Sequence, residues 1–336
     1  MKIVVRIPNW VGDAILARPA LDSLAAHFPG ADIAVAAGAG VRDLFGTEAG
    51  GPRVLALNGA KTRGELVAAA EALRAEAFDL GLLFTNSFGS ALQFRQAGIP
   101  ERWGYRRDGR GLLLTRGVKP PDPQAEPRHQ IYYYLDLLRK LGLPTIEPEL
   151  RFSLSPAEKQ AAKTRLRELG ADDGRPLIIL NPGAAYGPAK RWPAERYAAL
   201  AGLFVRDRNA RILLTGSADE AALTAEIAAS LDEPPIDLAG RTTLRGLLAL
   251  IGEAALFVTN DTGPMHMANA LRVPVVAIFG PTEPRATAPF HAPAAVLKKD
   301  APCGPCLYRS CPFDHRCMTA ITAEEAYRAG LAFLQG

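Results

Sequence analysis

Short apolar runs alternate with amphipathic segments along most of the chain. In the first half, runs rich in β-branched residues predict strands, and apolar positions recurring every three or four residues predict helices between them. The predicted strands are Ile3–Ile7, Ile33–Ala37, Val54–Leu57 and Leu80–Phe84, and the predicted helices are Asp13–His27, Arg63–Glu76 and His129–Leu141. This alternation indicates an α/β protein with parallel sheets covered by helices.

The segment Gly142–Leu150 is rich in turn formers and lacks a helical period. It predicts a boundary between two domains, residues 1–150 and 151–336. The second half repeats the alternation and closes with a helix, Thr322–Leu334, that begins with a capping box. The predicted strands there are Leu177–Leu180, Ile212–Thr215, Leu256–Thr259 and Val275–Phe279, and the other predicted helices are Ala194–Arg206, Glu220–Leu231, Leu244–Glu253 and Met265–Leu271.

Length, composition and charge narrow the class of protein. A chain of 336 residues with 48% hydrophobic and 22% charged residues is typical of a globular protein with about two domains. No apolar run approaches the roughly 18–20 residues of a membrane span, and Lys2–Pro8 is too short and charged for a signal peptide. We therefore expect a cytoplasmic protein. The net charge of +4 does not favour a nucleic-acid partner, although it would suit an anionic substrate or membrane surface.

In the first half, polar residues follow two of the predicted strands. The run Pro8-Asn-Trp-Val-Gly-Asp13 offers Gly12 for a tight turn and places Asp13 in the first turn of a helix. That carboxylate could act as a general base or could simply stabilise the helix N-terminus. The run Thr85–Ser90 could present hydroxyl and amide groups to a sugar or could cap a helix. The absence of a GxGxxG pattern argues against a dinucleotide-dependent oxidoreductase.

In the second half, the loop Leu180–Pro193 combines two glycines with the cations Lys190 and Arg191. Backbone amides freed by glycine, together with a neighbouring cation, suit a phosphate group, although a solvated surface loop has the same composition. The spacing is not that of a Walker motif, because no Ser or Thr follows the lysine.

Two further loops follow strands in the same half. One, Leu213–Glu220, carries acidic residues at a helix start, and a carboxylate there could bind ribose hydroxyls or could merely favour the first turn of the helix. The other places Thr262 and Gly263 at a helix N-terminus, close to His266. Because the carboxyl ends of parallel strands meet at one edge of a sheet, these loops predict a single anion-binding site.

Four pieces of the chain together resemble the bacterial ADP-heptose:lipopolysaccharide heptosyltransferases of glycosyltransferase family nine, and they occur in the same order. The pieces are Trp10-Val-Gly-Asp13, Asn86-Ser-Phe-Gly-Ser-Ala-Leu92, Pro182-Gly-Ala-Ala-Tyr-Gly-Pro-Ala-Lys-Arg-Trp-Pro193 and Asn260-Asp-Thr-Gly-Pro-Met-His266. The first and third look more like the heptosyltransferase II branch than the heptosyltransferase I branch. The resemblance implies a GT-B fold, in which two Rossmann-like domains face each other across a cleft.

The resemblance also implies an activity: inverting transfer of L-glycero-D-manno-heptose from ADP-heptose to the first heptose of the lipopolysaccharide inner core. Asp13 would be the base and Glu220 would hold the adenosine ribose. The residues implied at the donor phosphates are Lys190, Asp261, Thr262 and Gly263, with His266 nearby. No cofactor is implied for catalysis. Where the heptosyltransferase I pattern has threonines, this chain has Ala184, Ala185 and Tyr186, so phosphate contacts there would come from backbone amides or Tyr186.

The acceptor is expected to bind the first half, because the donor motifs occupy the second. The basic run Arg102–Arg110, with Lys61 and Arg63, would suit an anionic glycan, or could be a solvated loop. A lipid-anchored acceptor implies peripheral contact with the inner membrane. Two alternatives remain at this point: a family relative that transfers heptose to another glycan or a protein, and a non-catalytic sugar-nucleotide-binding protein.

All four cysteines lie in one short segment of the chain, at Cys303, Cys306, Cys311 and Cys317. In a cytoplasmic protein such a cluster is compatible with a tetrahedral thiolate zinc site, with His315 as a substitute ligand. The last two gaps are wider than those of paired Cys-x-x-Cys motifs, so reduced thiols or a disulfide are the alternative. A zinc ion there would be structural and would hold the irregular stretch before the last helix.

Overall fold

The computed structural model describes residues 1–45, 51–59, 62–122 and 128–334 of the chain. The chain divides into two compact units, Met1–Leu150 and Arg151–Gly336, and each contains a six-stranded sheet. All strand pairings of the described residues are parallel. The predicted α/β class with helix-covered parallel sheets is therefore confirmed.

In the N-terminal unit, the strands are β1 (Lys2–Arg6), β2 (Asp32–Ala37), β3 (Arg53–Ala56), β4 (Leu80–Leu83), β5 (Glu101–Tyr105) and β6 (Arg116–Val118). The helices are α1 (Val11–Leu16), α2 (Arg18–His27), α3 (Arg63–Ala75), α4 (Phe88–Gln96) and α5 (Gln130–Lys140). The strand order is β3-β2-β1-β4-β5-β6. Since chain order reverses beside β1, the segments that follow β1 and β4 lie next to each other at one edge of the sheet.

In the C-terminal unit, the strands are β7 (Leu177–Asn181), β8 (Arg211–Leu214), β9 (Ile236–Asp237), β10 (Leu256–Asn260), β11 (Val275–Phe279) and β12 (Ala294–Lys298). The helices are α6 (Pro156–Glu168), α7 (Ala194–Arg208), α8 (Ala221–Ala229), α9 (Leu244–Ile251), α10 (Gly263–Ala270), α11 (Pro284–Thr287), α12 (Arg316–Thr319) and α13 (Ala323–Leu331). The strand order is β12-β11-β10-β7-β8-β9. None of the helices in the described ranges has the length and apolar character needed to span a bilayer.

All eight predicted strands are present, and four others, β5, β6, β9 and β12, were missed. The missed strands lie at or next to the edges of the sheets. They are short, as in β6 and β9, or only partly buried, as in β12. Such segments do not form the continuous apolar runs that mark the central strands of a parallel sheet.

The predicted helix Asp13–His27 is wrong in one respect, because it consists of two helices, α1 and α2, joined at Ala17. Pro19 stands in the first turn of α2, where its missing N–H costs nothing, but inside one long helix it would break the hydrogen-bond ladder. Gly12, expected to form a tight turn, lies within α1. Asp13 is in the first turn of α1, as predicted.

The central strands of both sheets are buried among apolar side chains. Val4 of β1 and Ile178 of β7, for example, are fully inaccessible to solvent. Burying a side chain of this size contributes about 1.5–3 kcal/mol relative to leaving it exposed. Few polar side chains are buried in this interior, and several of them, such as Asn181 and Asn260, stand at the ends of strands.

Candidate functional site

Polar side chains of the C-terminal unit gather at the carboxyl ends of β7, β8 and β10. In this sheet β7 lies between β10 and β8, so chain order reverses at the β7–β10 boundary. Ligands of open α/β sheets bind in the crevice at such a reversal. The polar loops that the sequence analysis identified follow β7, β8 and β10, and they leave the sheet at this edge.

The ammonium group of Lys190 is the cation at this edge. Its Nζ atom lies 2.5 Å from Oδ2 of Asp261 and 3.3 Å from the carbonyl oxygen of the same residue. The Lys190 side chain is only 13% exposed and that of Asp261 only 5%. Thr282 donates its hydroxyl to the same carboxylate oxygen at 2.8 Å. Asp261, expected among the phosphate ligands, therefore uses its carboxylate to hold Lys190 in position.

Lys190 retains donor capacity after these contacts. An ammonium group has three N–H donors, and Asp261 accepts from two of them. Among the described residues, the other contact of the ammonium is with the face of the Tyr186 ring, 5.1 Å from its centroid. One N–H thus remains for a ligand oxygen. A phosphate is the natural acceptor, because a charge-assisted hydrogen bond to it is strong in a partly buried site.

The hydroxyl of Tyr186 already has a hydrogen-bond partner within the protein. Its hydroxyl donates to the carbonyl oxygen of Leu307 at 2.7 Å, and the guanidinium of Arg309 lies 5.4 Å from the ring centroid. Of the two sources of phosphate contacts that the resemblance left for this loop, the tyrosine hydroxyl is already engaged. The backbone amides are the remaining source.

Glu220 lies against the same loop. Its carboxylate accepts from the amide of Ser217 at 2.8 Å, and its other oxygen is 3.9 Å from the Arg191 guanidinium. A Cβ atom built at Gly183 would fall 2.2 Å from the Glu220 carboxylate, so only glycine allows this approach. Glu220 is 8% exposed. The structure thus brings together the two loops that were expected to hold ribose and phosphate.

Asn260, at the end of β10, fixes the loop that carries Lys190, and sequence reasoning missed it. Its amide group donates to the carbonyl oxygens of Pro182 and Gly183 at 2.7 and 3.1 Å. Its oxygen accepts from the amide of Trp192 and the hydroxyl of Tyr197, both at 3.1 Å. The only signal in the sequence was an asparagine at the end of an apolar run; the structure shows that this residue is fully buried and that its polar groups are hydrogen-bonded.

Helix α10 begins beside Lys190. Thr262 is its N-cap residue, but the Thr262 hydroxyl bonds to Thr259 at 3.1 Å instead of capping the helix. The Thr262 side chain therefore does not occupy the first amides of α10, which suit an anion. His266 lies inside α10 and is 3% exposed. Thr262, Gly263 and His266, which were predicted around this terminus, therefore lie together. The His266 side chain, however, is buried in the helix packing.

Asp13 lies in the N-terminal unit, in the first turn of α1, the helix that follows β1. It is partly exposed, and it lies near the buried phenol of Tyr134 on α5: burial raises the pKa of that phenol, and the negative charge of Asp13 raises it further. Ser87 caps α4 by accepting from the amide of Ser90 at 3.3 Å, which confirms the capping alternative for Ser87. Asn86 donates to the Tyr133 hydroxyl at 2.8 Å.

Two of the four arginines in the basic run Arg102–Arg110 are held by hydrogen bonds within the fold. Arg102 donates to the carbonyl oxygens of Leu113 and Ile99 at 2.8 and 2.5 Å. Arg110 is fully buried, donates to the carbonyl oxygens of Tyr105 and Thr85, and has its pKa lowered to about 10 by burial. The arginines left on the surface are Arg106 and Arg107; Arg63 is also exposed, and Lys61 lies outside the described residues.

The four cysteines border one cavity of about 520 Å³ together with His315. Burial raises the pKa of the Cys317 thiol, and the other three thiols add to the rise. All four are free thiols. Within the described part of the chain, however, no three residues of ligand type are arranged so that they could hold a metal ion.

The cysteine-rich segment also buttresses the loop that carries Lys190, a contact that the sequence did not indicate. The carbonyl oxygen of Arg309 accepts from the amide of Ala189 at 3.0 Å, and Nε2 of His315 lies 2.7 Å from the carbonyl oxygen of Ala189. A Cβ atom at Gly187 would fall 2.4 Å from the Arg309 carbonyl. The conformation of residues 303–317 therefore bears directly on the position of Lys190.

Comparison with known proteins agrees with this geometry. The model of glycosyltransferase family 9 (heptosyltransferase) matches residues 66–316. Lipopolysaccharide heptosyltransferase 2 of Escherichia coli K12 is 34% identical over 314 residues, which are 89% of this chain and 88% of that protein. Lipooligosaccharide heptosyltransferase 2 of Haemophilus influenzae is 31% identical over 310 residues, with 89% and 88% of the two chains covered. The structure of E. coli ADP-heptose lipopolysaccharide heptosyltransferase II matches with a TM-score of 0.84 at 31% identity, over 99% of this chain and 98% of that one. The resemblance carried by the motifs is thereby confirmed, with its GT-B fold class and transferase activity, and the chain belongs to glycosyltransferase family 9.

Proposed function

We propose that this glycosyltransferase moves L-glycero-D-manno-heptose from ADP-heptose onto the first heptose of the lipopolysaccharide inner core. The observation that carries the proposal is the buried Lys190, with one N–H to spare beside the N-terminus of α10, in a chain whose relatives are named for this transfer. A cation and the positive end of a helix suit a nucleoside diphosphate and stabilise it further as it leaves.

In this proposal the C-terminal unit binds the donor. Lys190 and the first amides of α10, near Thr262 and Gly263, bind the diphosphate, with His266 behind them in the helix. Asp261 orients Lys190, and Glu220 accepts hydrogen bonds from the adenosine ribose. One Glu220 oxygen already accepts from Ser217, which fixes the carboxylate and leaves the other oxygen toward Arg191.

The N-terminal unit supplies the base. The acceptor hydroxyl oxygen attacks the anomeric carbon as the bond from that carbon to the ADP oxygen breaks, so the configuration inverts. The hydroxyl proton passes to the carboxylate of Asp13. ADP leaves with the developing negative charge on its phosphate, where Lys190 and α10 stabilise it. These residues supply the chemistry without a cofactor.

Because the proposed acceptor is anchored in a lipid bilayer, we expect the protein to act in the cytoplasm, in peripheral contact with the inner membrane. The test is a transfer assay with ADP-heptose and with vesicles that carry core glycolipid ending in one heptose. We expect product with a new heptose–heptose linkage, and we expect the protein to sediment with these vesicles. Product formed only on a protein or on another glycan would assign a different acceptor, the remaining alternative within the family.

We also propose a structural zinc site at Cys303, Cys306, Cys311 and Cys317. The shared cavity and the thiol chemistry support it. The present arrangement of the thiols in the described residues does not, so the thiol groups would have to move closer together to share an ion. Elemental analysis of protein purified without chelator or metal resin is expected to find about one zinc per chain. A metal-free preparation that is fully active and equally heat-stable would refute the site.

A further inference from the structure

The cysteine-rich segment, residues 303–317, brings an arginine to the loop that carries Lys190. Arg309 is exposed, and its guanidinium lies over the Tyr186 ring, 5.4 Å from the ring centroid. The ammonium group of Lys190 lies over the same ring, 5.1 Å from the centroid. One aromatic side chain therefore contacts two cations that come from distant parts of the chain.

The backbone of Arg309 is fixed against that loop. Its carbonyl oxygen accepts from the amide of Ala189 at 3.0 Å, and a Cβ atom at Gly187 would fall 2.4 Å from the same oxygen, so only glycine allows this approach. The Tyr186 hydroxyl donates to the carbonyl oxygen of Leu307 at 2.7 Å, so the ring is held as well. A guanidinium held in this way loses less freedom on binding a ligand than a free surface arginine does.

The charged side chains of the two loops that meet at this edge form ion pairs. Lys190 pairs with Asp261 at 2.5 Å, and Arg191 pairs with Glu220 at 3.9 Å. Each pair is neutral as a whole, whereas a nucleoside diphosphate carries a negative charge on each of its two phosphates. The two pairs alone would therefore offer this ligand N–H donors and a helix dipole, but no net positive charge.

The guanidinium of Arg309 has no such acidic partner. Within the described ranges of the chain it makes neither an ion pair nor a hydrogen bond, and its contact is with the Tyr186 ring. Its five N–H donors form a planar fork that matches the oxygens of a phosphate. In the same segment, by contrast, Arg316 is paired with Asp314 at 2.6 Å.

We propose that Arg309 is a donor-binding residue, which supplies a second cation for the diphosphate of ADP-heptose beside Lys190. The inference rests on the proposed role of the Lys190 loop in donor binding. It also gives the cysteine-rich segment a function: its carbonyl groups hold the loop, and its arginine adds the net positive charge that the ion pairs lack. Because negative charge grows on the departing ADP, this cation stabilises the transition state more than the bound donor.

The test is Arg309→Gln, with calorimetry of ADP and of adenosine binding. The substitution removes the charge and leaves the backbone carbonyl that holds Ala189. We expect the dissociation constant of ADP to rise about 10-fold, the lower end of what a hydrogen bond to a charged group represents, because the side chain is exposed. The dissociation constant of adenosine, which has no phosphate, should not change. The advantage of the wild type for ADP should shrink as salt is added, since ions screen an exposed charge.

A charge series at the same position separates charge from shape. Arg309→Lys keeps the charge and should bind ADP more tightly than Arg309→Gln, although less tightly than the wild type, because an ammonium lacks the planar fork. Arg309→Glu reverses the charge and should bind ADP most weakly of the three. Equal ADP affinities in the three variants would show that the charge of this side chain has no role, and would overturn the proposal.

Arg316→Gln is the matched control. It makes the same change in net charge in the same segment, at a guanidinium already paired with Asp314. Its ADP affinity should equal that of the wild type, and both glutamine variants should keep the wild-type denaturation midpoint. An equal loss of ADP affinity in the two variants would indicate an effect of net charge or of the segment as a whole, and would refute the assignment to Arg309.

The same measurements distinguish this inference from the proposed function on which it rests. If Lys190→Ala weakens ADP binding and Arg309→Gln does not, the donor site remains and Arg309 is not part of it. If the wild-type protein itself does not bind ADP, the proposed donor site fails and the inference falls with it.

Discussion

The Asp13→Asn variant is expected to lose about 10²- to 10⁴-fold in kcat, the contribution that a general base typically makes. An asparagine keeps the shape of the side chain and its place in the first turn of α1. The substitution removes a charge but changes neither the volume nor the backbone, so the local fold should persist. The amide cannot accept the proton of the acceptor hydroxyl near neutral pH. The loss should therefore fall on turnover rather than on stability.

The measurement is kcat with both substrates saturating, accompanied by the ADP dissociation constant from calorimetry. Because the donor residues belong to the other unit, the affinity for ADP should match that of the wild type. Asp22→Asn is a suitable control, since it makes the same substitution on the neighbouring helix α2, at a residue paired with Arg18. Turnover by Asp13→Asn within a few-fold of wild type would remove Asp13 from the mechanism.

The alternation of apolar runs was sufficient to predict the two parallel sheets, because central strands such as β7 and β10 are buried on both faces and read as continuous hydrophobic segments. The same rule also predicted which polar residues lie close together. The polar residues of these two strands, Asn181, Thr259 and Asn260, stand at their carboxyl ends, and the polar loops that follow converge at one edge of the sheet. Lys190, Glu220, Asp261 and Thr262 come together in this way.

The hydrogen-bond partner of each polar side chain could not be predicted, because it depends on contacts between residues far apart in the chain. Nothing in the basic run distinguishes Arg110, which is buried on carbonyl oxygens, from the exposed Arg107. Likewise Tyr186 follows two alanines in a loop that suggests an open phosphate site, yet its hydroxyl bonds to Leu307, 121 positions away. The sequence identified the elements, and the packing decided which polar groups remain available.

Lys190→Ala should weaken ADP binding and slow transfer while leaving acceptor affinity unchanged. A cation beside the diphosphate stabilises the bound donor, and stabilises departing ADP still more as its charge grows. The structure adds a second consequence. The Asp261 side chain is only 5% exposed, and in this variant it would lose its cation. Of the side-chain donors described above, it would keep Thr282 alone. Removing one partner of a buried pair costs about 3–5 kcal/mol of folding free energy, and we expect the lower end of this range because Lys190 is partly solvated.

The double variant Lys190→Ala/Asp261→Asn separates the two effects. It removes the uncompensated carboxylate, so its denaturation midpoint should return toward that of wild type, while its affinity for ADP should stay as low as that of Lys190→Ala. Denaturant unfolding gives the first quantity and calorimetry with ADP gives the second. Recovery of ADP affinity along with stability would show that Lys190 acts only by satisfying Asp261. Equal ADP affinity in Lys190→Ala and wild type would remove the lysine from the donor site altogether.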